Sequence, residues 1–356
     1  MTTMAYVSVP RLTLGDSFVP TVMGDVVALE LEEDIAGMAA LEFSLSAQGE
    51  ADSSGTQDYL DRSLLDFGMR VTVTLGPDDS GPLFEGSITA LGANFPGDSS
   101  STVTLKAEDG LQELRRTRRT RTFEDSSTAD IAQIIAGDHG LTAQVEVDGP
   151  QRPLTSQVNL SDLAFLRTLA QADGAEIWLE DTALRLRRRP DRDGDPVTMV
   201  YGETLRSFAV TADLAHQCTD LTVTGWSPAD KRAIAETGDA DDLGDELDDD
   251  TSGAAVLAEA FSARHERVVV AEPLDSADAQ ARARAAYLDR ARRFVTGTGT
   301  CEGDPAVRVG ARVSLMGVGA IFNGDYRVVR TRHRWDLVRG YETDFEVERV
   351  GLGAVS

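Results

Sequence analysis

The chain has 356 residues, 41% of them hydrophobic, and a formal net charge of −26. This length exceeds one ordinary single-core domain, and the hydrophobic content excludes global disorder. The negative charge argues against general binding to nucleic acid or to an anionic membrane surface, because such binding draws on Lys and Arg side chains that release counterions.

The lack of a targeting signal and the small number of cysteines narrow the class of protein further. The sequence has no run of about 18 apolar residues, and its first residues lack the charged and apolar regions of a signal peptide. We therefore expect a soluble protein that neither inserts into a membrane nor leaves the cytoplasm through a cleaved leader. Cys218 and Cys301 are too few for a disulfide framework and are expected to be reduced thiols.

Residues 1–110 have the alternating pattern of β-strands. In RVTVTLG (70–76), the three apolar side chains fall on one face of a strand and the two threonines on the other. Turn-forming clusters such as GPDDSGP separate this segment from four others of the same kind: DVVALELEED (25–34), ALEFSLS (40–46), GSITALGANF (86–95) and STVTLKAED (101–109). Strands at this spacing predict a small barrel or sandwich.

Residues 111–200 mix helix and strand. A capping residue within 126–128, followed by isoleucines at helical spacing, predicts a helix that ends near Gly140. Ser161 predicts the start of a second helix, and Gly174 stands where the left-handed residue after a helix belongs. The buried stripe predicted for this second helix is Leu163, Leu166, Leu169 and Ala170. The segment AEIWLE then begins a strand.

After residue 200 the strand pattern returns, with one interruption. Residues 229–292 hold an acidic loop (236–250), an alanine-rich segment and a helix predicted to start at Ser276. We predict a second β unit made of residues 201–228 and 293–356, divided by this helical insertion. Shifts of charge composition near residues 110 and 190 support the other two boundaries.

Catalytic and metal-binding motifs are missing from the sequence. It contains no G-x-S-x-G, H-E-x-x-H, P-loop or C-x-x-C pattern. The four histidines (His139, His216, His265 and His333) are scattered, with no pair at i and i+4 to hold a metal. We therefore predict no enzyme, no catalytic residue, no cofactor and no metal site.

The acidic loop resembles a calcium-binding register only in part. Asp239, Asp241, Gly244 and Asp250 fall at positions 1, 3, 6 and 12 of an EF-hand-like loop. Position 5 is Leu243, which offers no oxygen ligand, and position 12 lacks the longer bidentate Glu. This pattern favours a solvated, mobile loop.

Two arginine clusters stand out in the acidic chain. The first cluster follows the last strand of the first block and consists of Arg115, Arg116, Arg118, Arg119 and Arg121; the second, near the end of residues 111–200, consists of Arg187, Arg188 and Arg189. Arginine makes bidentate pairs with carboxylates, so both clusters are candidates for a contact between domains or subunits. Two alternatives stay open: partners within the chain, such as Glu113, Glu124 and Asp125, and nucleic acid, although no aromatic residues accompany the arginines.

Five stretches in order along the chain resemble the late control protein D family of bacteriophages, the baseplate hub of contractile tails, and the amino-terminal hub part of VgrG. They are LFEGSITAL (83–91), STVTLKAEDGLQEL (101–114), SDLAFLRTLAQADGAEIWLED (161–181), QCTDLTVTGWSPADK (217–231) and the segment from Cys301 to Arg349. Each stretch alone is weak, whereas five in family order over nearly the whole chain are fairly specific.

The resemblance implies a mainly β fold: two tube-like antiparallel β-barrel domains (1–110; 201–228 with 293–356) and two insertion domains (111–200; 229–292). It implies a homotrimeric hub that adapts a six-fold inner tube to a three-fold spike. The implied partners are an inner tube protein, a separate spike protein, and other baseplate and tape-measure proteins. Such a hub would be cytoplasmic during assembly and then part of a virion or injection particle.

Two other functions remain open at the level of sequence. One is a tail-tip enzyme that degrades cell walls, and the other is a stand-alone β module that binds glycans or proteins. The sequence does not reveal which contractile system is involved or whether the host is halophilic.

Overall fold

A computed structural model of the chain describes residues 9–15, 17–18, 20–47, 57–77, 81–97, 100–189 and 196–353. The fold is mainly β, with 49% strand and 22% helix, which confirms the predicted fold class.

The strands in chain order are β1 (Arg11–Leu14), β2 (Ser17–Phe18), β3 (Val26–Asp34), β4 (Ala40–Ser46), β5 (Arg70–Thr74), β6 (Phe84–Asn94), β7 (Thr102–Glu108), β8 (Arg118–Ser126), β9 (Thr142–Glu146), β10 (Arg152–Ser161), β11 (Ala175–Glu180), β12 (Ala183–Arg188), β13 (Val197–Val200), β14 (Leu205–Ala212), β15 (Asp220–Ser227), β16 (Arg232–Asp239), β17 (Thr251–Ser252), β18 (His265–Pro273), β19 (Val295–Glu302), β20 (Arg312–Met316), β21 (Gly324–Asp336), β22 (Gly340–Arg349) and β23 (Gly351–Leu352). The α-helices are α1 (Pro20–Asp25), α2 (Gln57–Leu60), α3 (Leu111–Arg116), α4 (Thr128–Asp138), α5 (Asp162–Ala172), α6 (Gly253–Phe261) and α7 (Ser276–Arg292), and a 3-10 helix spans Ala240–Glu246.

Thirteen strands form one large sheet. Its main path is β14-β19-β22-β21-β3-β4-β7-β6-β5-β1-β2, and β20, with β13 beside it, branches from β21. The alternation seen in the sequence becomes the burial pattern: in β5, Val71 and Val73 are buried while Thr72 and Thr74 are partly exposed. One face of the sheet therefore supplies the core, and the other carries polar side chains.

The large sheet contains the same strand order twice. The first β unit consists of β1, β3, β4, β5, β6 and β7, and the second of β13, β14, β19, β20, β21 and β22. With the strands of each unit numbered one to six along the chain, both units have the spatial order two, three, six, five, four, one. The pairings agree in direction except for the last, which is antiparallel in the first unit and parallel in the second.

Irregularities of the strands repeat as well. The fifth strand shifts register against the sixth between Ile88 and Ala90 in the first unit, and between Val328 and Arg330 in the second. The second strand shifts against the third between Val26 and Ala28, and between Leu205 and Ser207. Because bulges are specific backbone features, these matches give a residue-by-residue alignment of the two units.

A glycine turn before the fourth strand confirms this alignment. Gly68 and Gly310 both have positive φ, and their backbone N–H groups donate to the carbonyl oxygens of Ile88 and Val328, each at 2.8 Å. A side chain at such a φ is strained, so both turns use glycine. Ile88 therefore corresponds to Val328.

The two units join through β21 and β3. The first part of β21 pairs with β20, and beyond the bulge the pairing runs antiparallel to β3, from Arg330 opposite Asp34 to Asp336 opposite Ala28. Trp335 and Tyr341 of the second unit consequently belong to the core of the first unit, whose other buried residues lie within 12–107. The second unit has its own core, which includes Tyr326 and Phe345.

Residues 111–189 pack around a separate core made from α3, α4, α5 and the strands of this block, including β11 and β12 after α5. The predicted caps are observed: Ser127 caps α4 through the backbone N–H of Asp130, and Ser161 caps α5 through that of Ala164. Gly174 has a φ of 68°, as the prediction of a left-handed residue after α5 requires. Local capping chemistry therefore sets both helix starts.

Strand pairing in the helical insertion differs from the prediction in one place. The sequence assignment puts residues up to 228 in the second β unit, whereas β15 lies in a separate three-stranded sheet of order β16-β15-β18. Helix α7, which starts at Ser276 as predicted, packs on this sheet and shares its core through Tyr287. The correction has a physical reason: the alternation within β15 is compatible with either sheet, and its pairing with β16 and β18 decides which sheet it joins.

The prediction of a solvated acidic loop at 236–250 is also wrong in part. Residues up to Asp239 continue β16, and the side chain of Asp239 accepts from the backbone N–H of Asp241 at the start of the 3-10 helix. Leu243 is 3% exposed. Three arginines balance the acidic residues, through the pairs Arg284–Asp242, Arg292–Glu246 and Arg349–Asp250.

Candidate functional site

The first arginine cluster lies on α3 and β8. Arg115 pairs with Glu108 of β7 at 2.7 Å, and Arg116 with Glu113 at 3.1 Å. Arg118 donates to the backbone carbonyl of Asn159 at 3.2 Å. Among the described residues, the ion pairs of this cluster include the proposed partner Glu113 but neither Glu124 nor Asp125.

Arg119 and Arg121 converge on two aspartates of the same block. Arg121 reaches Asp138 at 2.6 Å and Asp162 at 3.0 Å, and Arg119 reaches the same two residues at 3.0 and 3.4 Å. Burial opposes ionisation of Asp162, but hydrogen bonds from His139 and Gln157 and the charges of the two arginines outweigh it and lower its pKa. These arginines hold β8 against the start of α5.

The second cluster contains a bridge between two parts of the fold. Arg187 pairs with Glu146 at 2.6 Å, and Arg188 donates to the carbonyl of Asp148 at 3.4 Å, both within residues 111–200. Arg189, whose side chain is 7% exposed, pairs with Glu176 at 2.8 Å and with Glu348 of β22 at 2.7 Å. Of the eight arginines, Arg115 and Arg189 thus pair across a predicted domain boundary. A contact with another subunit stays a prediction.

Two further arginines, the buried Arg152 and the partly exposed Arg308, join parts of the chain, and the sequence analysis did not single them out. Arg152 of β10 pairs with Asp173 at 2.6 Å and with Asp278 of α7 at 2.9 Å, and donates to Thr128 at 3.0 Å. Arg308 binds Glu33 of β3, with 2.7 Å between its Nε and the carboxylate. These partners lie far away along the chain, so no local motif reveals them.

The polar face of the large sheet carries a charged row where the two β units meet. Arg332 pairs with Glu32 at 2.7 Å and with Glu30 at 3.1 Å, both on β3. Arg334 pairs with Asp344 of β22 at 2.9 Å. The junction inside the chain is therefore apolar on its core face and ionic on its polar face.

Among the strands of the large sheet, β6 and β14 each have an edge without a strand partner in the described part of the chain. Beyond Ile88, β6 pairs with β7 on one side only, and β14 pairs with β19 on one side only. Phe95, directly after β6, is 63% exposed. Phe208 of β14 packs against the core of the second unit but is only partly buried. Unpaired edges next to exposed apolar residues are typical of interaction surfaces.

The described residues contain no group of three or more His, Cys, Asp or Glu side chains arranged to hold a metal ion. In that same part of the chain no helix is both long and apolar enough to span a membrane. Of the histidines, His139 lies 2.9 Å from Asp162, and His333 is fully buried, 2.9 Å from the hydroxyl of Tyr341.

Comparison with known protein families identifies the family to which the sequence is related. Residues 27–336 match the family described as the Alg8 N-terminal domain. The chain belongs to the Alg8 N-terminal domain family. No curated protein matches it. The predicted membership in the late control protein D family is not confirmed by this match.

Two of the solved structures similar to this Alg8 N-terminal domain family member are tail proteins. The 43 kDa tail protein of prophage MuSo2 from Shewanella oneidensis is 13% identical, with a TM-score of 0.67 over 96% of this chain and 98% of that one. The tail protein from Neisseria meningitidis MC58 is 14% identical, with a TM-score of 0.68 over 97% of both chains.

A third similar structure comes from a secretion system. The E. coli c3393 protein, described as a component of the type VI secretion system similar to T4 tail proteins gp27 and gp5, is 11% identical. Its TM-score is 0.60 over 97% of this chain and 79% of that one. At these identities the likeness is one of fold, and it extends over nearly the whole chain.

Proposed function

We propose that the chain is the structural baseplate hub of a contractile injection machine, a phage tail, tailocin or extracellular injection system. Three copies form a ring that adapts a six-fold inner tube to a three-fold spike. In this role the chain is a structural protein rather than an enzyme. The observation that carries the proposal is the repeated strand order of the two β units within one sheet.

The repeat supplies the symmetry that such an adapter needs. A ring closes when each contact surface recurs at equal rotation, and one chain with two equivalent units offers two such surfaces. Three chains then present six equivalent units to a six-fold tube, while the insertions (about 111–200 and 229–292) occur only three times and suit a three-fold partner. The tail-protein fold of the similar structures supports this reading.

The partners follow from the same geometry. We place the inner tube protein on one rim of the six β units and a separate spike protein on the other, with other baseplate and tape-measure proteins around them. The protein would be assembled in the cytoplasm and act within the finished particle. The two β units are the proposed tube-like domains, with β15 reassigned to the helical insertion.

Light-scattering chromatography of the purified chain tests the proposal. The expected mass is three times the 38.2 kDa of one chain. Addition of the inner tube protein of the same contractile system should produce a larger complex that contains three copies of this chain. A monomer at every protein concentration, with and without the tube protein, would contradict the hub function.

A further inference from the structure

The fifth strands of the two units are equivalent, but only one of them is covered. Counted from the shared bulge, Phe95 corresponds to Trp335, Ala93 to His333 and Leu91 to Thr331. In the second unit these positions are buried by β3, and Trp335 is 7% exposed. In the first unit no described strand covers them, and Phe95 is 63% exposed.

The second strands differ in the same way. Counted from their bulge, Phe208 corresponds to Leu29 and Val210 to Leu31. Leu29 and Leu31 are 2% and 0% exposed because β21 covers the edge of β3. The matching edge of β14 has no such cover among the described residues, and Phe208 and Val210 are only partly buried. The chain therefore forms this junction once, between β21 and β3. The matching edges, on β6 of the first unit and on β14 of the second, have no partner strand among the described residues.

We infer that the free edge of β6 in one subunit pairs antiparallel with β14 of the next subunit, and so reproduces the β21–β3 junction between chains. The inference rests on the proposed trimer. The register follows from the internal junction, where Trp335 lies opposite Leu29 and His333 opposite Leu31. Phe95 of one subunit then faces Phe208 of the next, Ala93 faces Val210, and Leu91 faces Ala212.

This pairing closes a ring. Within one chain the order of units places β14 at one end of the paired path and β6 near the other, so the contact is head to tail. The three junctions inside the chains and the three junctions between subunits then share the same antiparallel strand pairing, which gives six equivalent pairings around the ring. The occupant of each edge is thus another copy of this chain.

The junction between subunits differs chemically from the internal one. On the polar face, Arg332 and Arg330 face glutamates of β3 inside the chain, whereas their equivalents Gly92 and Ala90 are uncharged. The residues opposite them are Thr211 of β14 and Asp213, which directly follows β14. The contact therefore depends on backbone hydrogen bonds and buried apolar side chains, and molar salt should leave the trimer intact.

A disulfide trap tests the register. Directly opposed residues of an antiparallel pair have Cα atoms about 4.5–5.5 Å apart, which a disulfide can bridge. The double variant Phe95→Cys with Phe208→Cys should give a disulfide-linked trimer on a non-reducing gel after mild oxidation. The native Cys218 and Cys301 are buried and do not compete. In the matched control, Phe95→Cys with Ala209→Cys, the two thiols lie on opposite faces of the sheet and should stay unlinked.

A charge placed at the edge provides a second test that does not depend on oxidation. Phe95→Glu should raise the dissociation constant of the trimer at least about tenfold, because a buried aromatic contact is replaced by a buried charge. The folded monomer should be unaffected, since the side chain is exposed there. Phe261→Glu, at a 72% exposed phenylalanine on α6, is the control and should keep the trimer.

The outcomes separate the two proposals. A wild-type trimer that is trapped by the first cysteine pair and weakened by Phe95→Glu supports both. A wild-type trimer that shows neither effect overturns the β6–β14 pairing and leaves the hub proposal standing. A wild-type chain that stays monomeric under every condition overturns both.

Discussion

Replacement of Arg152 by methionine should destabilise the junction between residues 111–189 and α7 by about 3–5 kcal/mol, the usual cost of removing one partner from a buried ion pair. The Arg152 side chain is 8% exposed, and Asp173, 2.6 Å away, is 1% exposed. Asp278 keeps a second partner, Arg282, at 3.3 Å. Among the described residues, Asp173 is then left with the hydroxyl of Thr128, so most of the cost arises from this one carboxylate.

Urea unfolding followed by tryptophan fluorescence measures this loss, because Trp178 lies on β11 of the affected block and Trp226 on β15 of the sheet under α7. The double variant Arg152→Met with Asp173→Asn removes the unpaired charge and should recover about half of the loss. As a control, Arg293→Met breaks the exposed ion pair with Asp289 at the carboxyl end of α7 and should cost less than about 1 kcal/mol. Equal destabilisation of the single and double Arg152 variants would refute the reasoning and point to lost packing instead.

Three other predictions follow from buried groups. Burial lowers the pKa of His333 to about 4, so below pH 6.5 the unfolded chain binds a proton that the folded chain does not bind. The free energy of unfolding therefore falls as the pH falls from 6.5 towards 4. His333→Asn should reduce that loss by about 3 kcal/mol, as measured by urea titrations at pH 7 and pH 4. Burial also raises the pKa of Cys301 to about 12, so Ellman's reagent should label it only in denaturant, and labelling of the folded chain would contradict its burial. Arg189→Met should cost about 3 kcal/mol of unfolding free energy and Arg187→Met less than about 1, because only the first removes a charge partner from two largely buried glutamates, Glu176 and Glu348; equal losses in thermal melts would show that Arg189 does not bridge the parts.

The elements that the sequence predicts well are those set by local chemistry. Ser127 and Ser161 cap their helices through backbone groups three residues ahead, so the signal and its partner lie in one short window. The strands around Val71 and Val73 are visible for the same reason, because alternation is a property of a single segment.

Pairing between distant segments is what the sequence hides. The partners of β15 are its neighbour β16 and the later strand β18, and the alternation within β15 is compatible with either sheet. The arginine clusters were visible as charge, but their partners were not, since Arg189 meets Glu348, which lies 159 residues away along the chain. No sequence pattern around Arg152 predicted its ion pairs with Asp173 and Asp278.

The repeat of the two β units is likewise a property of backbone geometry. Around the fourth strand the two units share little more than a glycine followed after one residue by Arg-Val, at 68–71 and 310–313. Their bulges and strand order coincide although most side chains differ. Side chains that face different neighbours are free to diverge while hydrogen-bonded register is kept.

The late position of β21 in the chain has a consequence during synthesis. Its residues cover β3, which the ribosome makes roughly 300 residues earlier, so at about 5–20 residues per second the edge of β3 waits on the order of 15–60 s for its partner. An uncovered strand edge invites pairing with other nascent chains. The run Glu30, Glu32, Glu33 and Asp34 along β3 repels such encounters. Glu30 and Glu32 later pair with Arg332 of the arriving strand, and Glu33 pairs with Arg308. The acidic residues of β3 thus protect the unfinished chain before they help to join the finished one.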